Sequence, residues 1–174
     1  MNVDRETLVL AFYPNARGFA YVIFEGAFSP VDWGISEVRR RKGRLGTCVR
    51  RLSVLIDRYH PDVLVVRAGS REREMPAMQT AIDAIDGLAE GKGVQTHTVS
   101  RMEIQRAFAH LGSPTRYAIA GSIAKDIPTF APLMPPARKI WNGEDRRMGL
   151  FDAAALALTY FRARNDKVTI GIYN

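Results

Sequence analysis

The chain has 174 residues, 47% of them hydrophobic, with 25 Lys plus Arg against 18 Asp plus Glu, for a formal net charge of +7. That length and apolar content suit one globular domain over residues 1–174. No apolar run approaches the ~18 residues of a membrane span, and MNVDRETL lacks the basic-then-apolar layout of a secretory leader, so a soluble, cytoplasmic protein without a membrane partner is expected. A lone Cys48 excludes an intrachain disulfide, and three scattered histidines give no zinc-type spacing.

In chain order, Leu8 to Tyr13 is a continuous apolar run, Pro14-Asn15-Ala16-Arg17-Gly18 reads as a tight turn, and Phe19 to Phe24 is a second apolar run. Val31 to Val38 closes a three-strand meander. The next helix places Leu45, Val49, Leu52, Ile56 and Tyr59 at helical spacing as its core stripe, and Cys48 beside it reads as packing. Arg39, Arg40, Arg41, Lys42, Arg44, Arg50 and Arg51 make the densest basic cluster, open to reading as a phosphate contact or as a solvated helix face. Asp62 to Val66 is a short buried-type strand after His60-Pro61.

Met75, Met78, Ile82 and Ile85 repeat through a helix opened by residues 70–74, and Val94 to Val99 alternates as a strand. Ser100 and Glu103 form a capping box before Ile104, Phe108 and Leu111. Ser113 as N-cap with Pro114 at the first helical position starts the next helix. Arg101, Arg106, Arg116 and Lys125 decorate this region. Residues 129–136 hold prolines that forbid a regular helix and should lie across the core. Residues 148–160, MGLFDAAALALTY, form an alanine-rich helix apolar nearly all round and therefore buried. A single carboxylate, Asp152, lies in its first turn, and a buried carboxylate needs a cation, a metal or several donors to stay charged. Lys167 to Tyr173 reads as an extra C-terminal strand suited to a sheet edge or a partner. Trp33 and Trp141 are read as closing the ends of the core, with base stacking as the alternative.

Meander, helix, buried strand, helix, strand and a last helix with an acid near its start is the order of an α/β ribonuclease H-like domain, a mixed five-stranded sheet flanked by helices. VLAFYPNARGFAYVIF, PDVLVVR and FDAAALALTY, in this order and spacing, resemble RuvC-type Holliday junction resolvases over roughly residues 7 to 162. The resemblance implies a nucleic-acid cleft, a basic junction-facing surface around Arg101, Arg106, Arg116 and Lys125, and a homodimer. It also implies a site of four carboxylates holding two divalent ions that activate water and stabilise the leaving oxygen. Only Asp152 matches that site. The other three positions fall at Tyr13, Arg67 and Gly149.

One carboxylate cannot hold a pair of ions that demand oxygen ligands. The resemblance therefore suggests that Arg67 takes the metal position, its guanidinium fork on Asp152 and the Tyr13 hydroxyl beside them. The plainer alternative leaves Arg67 in solvent and Asp152 complementing the helix dipole. Three functions stay open. The favoured one is a resolvase-like protein that binds DNA, including branched DNA, through Arg39, Arg40, Arg41, Lys42, Arg44, Arg51, Arg101, Arg106, Arg116 and Lys125, without a cofactor or cleavage. The second is an endonuclease with relocated ligands, Mg2+ or Mn2+ on Asp152 with Glu144, Asp145 or Glu25. The third is an assembly module that keeps only the fold.

Overall fold

A computed structural model describes residues 6–39, 42–69, 76–139 and 141–171. Its five strands are β1 (Leu8–Asn15), β2 (Gly18–Glu25), β3 (Pro30–Glu37), β4 (Val63–Arg67) and β5 (Gln95–Val99), in sheet order β3-β2-β1-β4-β5. The meander is antiparallel, whereas β4 and β5 run parallel to β1, so the sheet is mixed. The helices are α1 (Arg44–Tyr59), α2 (Pro76–Gly91), α3 (Arg101–Ala107), α4 (Arg116–Asp126) and α5 (Met148–Gly171).

Strand alternation divides the core into two layers. Val9 and Ala11 of β1, with Val63 and Val65 of β4, face α4 and α5. Leu8, Leu10 and Phe12, with Leu64 and Val66, face α1 and α2. Central strands buried on both faces must read as unbroken apolar runs, which is how Leu8 to Phe12 reads. The hairpin is longer than the sequence suggests: β1 continues through Pro14, paired with Phe19, to Asn15. Pro14 is tolerated because the β4 ladder ends at Phe12 opposite Val66, so its missing N–H faces no neighbour strand. The Asn15 side chain accepts from the N–H groups of Arg17 and Gly18. Gly18 is required by close approach, since a Cβ there would lie 2.0 Å from the Ser36 carbonyl oxygen.

Several expectations shift. The α1 stripe is rotated: Cys48, Leu52, Leu55 and Ile56 are its buried residues, while Leu45, Val49 and Tyr59 are half-buried. Cys48 is packing, as expected, and burial pushes its thiol pKa up. The Ser100–Glu103 capping box is present. The N-cap of α4 is Thr115, not Ser113, its hydroxyl accepting from the Ala118 N–H. A 3-10 turn over Pro128–Leu133 lies on the core through Phe130, stacked edge-on with Trp33 at 5.2 Å. Residues 70–75, including Met75, and Arg40 and Arg41 lie outside the described residues.

The extra C-terminal strand is not formed among the described residues, and 172 and 173 lie outside them. Residues 167–171 instead continue α5. β-branched composition is a weak preference that context overrides, and extending an existing helix gains a hydrogen bond per residue without a new nucleus. No helix among the described residues is long and apolar enough to cross a membrane.

Candidate nucleic-acid interface

Tyr13 and Arg67 follow Phe12 and Val66, the last paired residues of the β1–β4 ladder, and so stand side by side just past the end of that pairing. Alternation turns both toward the α5 layer. Beneath them Asp152 is the fifth residue of α5, past the first turn, where a helix-dipole role fades. Its helix is buried on every side by Leu150, Phe151, Ala153, Ala154, Ala155 and Leu156, and its own side chain is only 14% exposed.

The cation that answers Asp152 is Arg116, the first residue of α4. Its Nε donates to Asp152 Oδ1 at 2.7 Å and its Nη2 to Oδ2, a two-toothed fork. The remaining nitrogen, Nη1, pairs with the Glu144 carboxylate. The expected fork from Arg67 is thus corrected. Arg67 bears on both Tyr13 and Asp152 through its charge, which opposes the rise of each pKa. α4, packed against α5 through Ile119, Ala120, Ile123 and Ala124, sets Arg116 directly over the acid.

Burial dominates the electrostatics. It raises the Asp152 pKa despite the opposing pull of the Arg116 hydrogen bonds and the charges of Arg116 and Arg67. Burial and the Asp152 charge also raise Tyr13, with Arg116 and Arg67 opposing. Arg116 is pushed up, chiefly by its hydrogen bonds to Asp152, and remains a cation.

A cleft of about 940 Å3 opens over this clasp, walled by α3, α4 and the start of α5, and Arg67, Arg101, Arg106 and Arg116 all line it. Arg101 and Arg106 are exposed on α3. Lys125 is not in the cleft: it lies at the opposite end of α4, nine residues or about 14 Å from Arg116. In the α1 cluster, Arg39, Lys42 and Arg51 are exposed. Arg44 instead donates to the Val38 and Ala16 carbonyls, tying the hairpin tip to the helix start. That tip closes β1 at the same end of the sheet as Tyr13, so Arg44 borders the cleft's end of the molecule.

The residues present do not fit two divalent ions. At the positions that the sequence resemblance assigns stand a phenol, a guanidinium and Gly149, where a Cβ would lie 3.3 Å from Ala20 Cβ and 3.4 Å from Asn15 Nδ2. Glu144 shares the Arg116 guanidinium with Asp152, so a cation already sits between these acids. Asp145 is engaged by Arg147 at 2.6 Å, which holds its pKa down to about 2. Glu25 pairs with Leu8 at the other end of β1, five residues or about 17 Å along the strand from Tyr13. Among the described residues no group of three or more His, Cys, Asp or Glu could hold a metal ion.

Arg116 as the partner of Asp152 was not legible, because the two are 36 residues apart and neither belongs to a local motif that names the other. Trp141 is a second correction: it is 79% exposed rather than closing the core.

Sheet order, mixed strand direction and the buried acid-bearing last helix define a ribonuclease H-like fold of the Holliday junction resolvase type. Among solved structures, RuvC of Thermus thermophilus matches with a TM-score of 0.66 at 20% identity, over 92% of this chain and 97% of that one. The fowlpox virus Holliday junction resolvase matches at 0.55 and 15% identity, over 90% and 99%. The yeast mitochondrial resolvase Ydc2 matches at 0.55 and 12% identity, over 91% and 79%. By sequence, the chain matches no protein-family model and no curated protein.

Proposed function

We propose that this protein binds the phosphate backbone of DNA, including branched DNA, in its arginine-lined cleft and does not cut it. The reading is carried by one observation: Asp152, the acid that the sequence resemblance aligns with the resolvase site, is forked by Arg116 inside a cleft whose other charged walls are Arg67, Arg101 and Arg106. Guanidinium groups suit phosphate oxygens by charge and by their planar fork, while the same groups repel divalent cations. Two of the matched structures are resolvases in complex with Holliday junction DNA, T. thermophilus RuvC and the fowlpox enzyme, which supports DNA as the ligand class. The net charge of +7 adds long-range attraction.

The test is fluorescence anisotropy with a labelled four-way junction and a matched duplex across a salt series, followed by incubation in Mg2+ and in Mn2+. Contacts from Arg67, Arg101 and Arg106 with neighbouring phosphates predict a log K versus log salt slope of at least about −3, with the junction recovered intact. Salt-insensitive binding, or nicking that Asp152→Asn abolishes, would contradict the proposal.

A further inference from the structure

Trp141 is the most exposed large apolar side chain among the described residues, at 79%. The turn that carries it is built rather than slack. Arg138 Nε donates to the Asn142 carbonyl at 2.8 Å, and the Asn142 N–H donates to the Lys139 carbonyl at 3.0 Å. Arg17, from the β1–β2 tip, donates to the Glu144 carbonyl at 3.1 Å and so braces the segment from the hairpin side. The Lys139 ammonium lies 5.7 Å from the Trp141 ring centre, so the indole shares its surroundings with a cation.

The charge around the ring favours a nucleic-acid ligand. Both acids that follow are neutralised, Glu144 by Arg116 and Asp145 by Arg147. Arg138, Lys139 and Arg146 are exposed. The turn also adjoins the cleft, because Glu144, three residues on, touches the Arg116 that lines it. Three residues span at most about 11 Å, or about three base steps at 3.4 Å. A strand held by its phosphates in the cleft could therefore present a base to the indole. Fully paired bases have no free face inside the stack, whereas unpaired ones at a branch point or in a single-stranded stretch do.

We infer that Trp141 is a stacking platform for an unpaired nucleobase and makes the protein prefer branched or single-stranded DNA over plain duplex. The inference rests on the cleft binding DNA as proposed above. Base-on-aromatic stacking corresponds to about 5- to 150-fold in affinity per base.

Anisotropy binding curves for Trp141→Ala and Trp141→Phe, on a junction with unpaired bases at its crossover and on a blunt duplex, separate the outcomes. The expected result is a loss of about 5-fold or more on the junction for Trp141→Ala and less than about 2-fold on the duplex. The salt slope should be unchanged and Trp141→Phe should restore most of the affinity. Trp fluorescence, read as wild type minus Trp141→Phe, should be quenched by the junction and not by duplex. Equal losses on both DNAs, or no loss on either, would overturn the inference while leaving the phosphate-binding cleft intact. A change in sedimentation mass of Trp141→Ala without a change in DNA affinity would assign the indole to a protein contact and also overturn it. Absence of DNA binding by the wild type would instead overturn the cleft reading, and this inference with it.

Discussion

Replacing Arg116 by Met removes the fork on Asp152 while keeping an unbranched apolar stem. The acid then remains on a buried helix with a side chain only 14% exposed. Breaking a fully buried pair from one side costs about 3 to 5 kcal/mol, but the Arg116 side chain is 45% exposed, so water screens part of its contribution. About 2 kcal/mol at pH 7 is expected, or about 4 to 8 °C in Tm for a domain of this size. The sign of the pH dependence is fixed by Asp152. Burial raises its folded pKa above the unfolded value, so its contribution is most favourable at acid pH and is lost as pH rises through the folded pKa. Arg116 opposes that rise, so removing it lifts the Asp152 pKa further and enlarges the loss at neutral pH. The variant should therefore approach the wild type near pH 4 and fall away by pH 7. Urea unfolding at both pH values, with Asp152→Asn alone and in combination, gives the coupling energy directly. A coupling below about 0.5 kcal/mol, or a loss independent of pH, would refute a buried Arg116–Asp152 clasp.

Arg101→Ala and Arg106→Ala, which remove exposed cleft cations, should each lower the salt slope of DNA binding by roughly one unit with little change in Tm; unchanged slopes would take α3 out of the interface. Gly149→Asp should cost about 1 to 3 kcal/mol in urea unfolding, because its Cβ would crowd Ala20 at 3.3 Å and Asn15 at 3.4 Å. It should restore no Mg2+-dependent cleavage.

The parts of the fold that sequence expresses locally were legible. Leu8 to Phe12 and Asp62 to Val66 announce strands buried on both faces, Ser100 and Glu103 cap a helix through contacts three residues apart, and the alanine-rich run from 148 must be buried. That Asp152 needs a cation follows from its surroundings alone. Which cation supplies it does not, because Arg116 reaches the acid only through the packing of α4 on α5, a contact between residues distant in sequence. The α1 stripe missed by a fraction of a turn, since Leu45 and Leu55 are equally apolar in sequence and only the sheet beneath decides which is buried. At residues 167–171, β-branched side chains suggested a strand, yet helix propagation from α5 prevailed. Trp141 was misplaced for a related reason: an apolar ring predicts burial only when the fold brings a core to it, and the turn after Arg138 does not.

The proposed exclusion of divalent ions by guanidinium groups is tested most directly by crystals of the protein soaked in Mn2+, with anomalous density read around Asp152. The account predicts Arg116 still forked on Asp152 and no Mn2+ coordinated there. A manganese peak bound by Asp152 together with Glu144, Asp145 or any other acid, with Arg116 swung away, would contradict it.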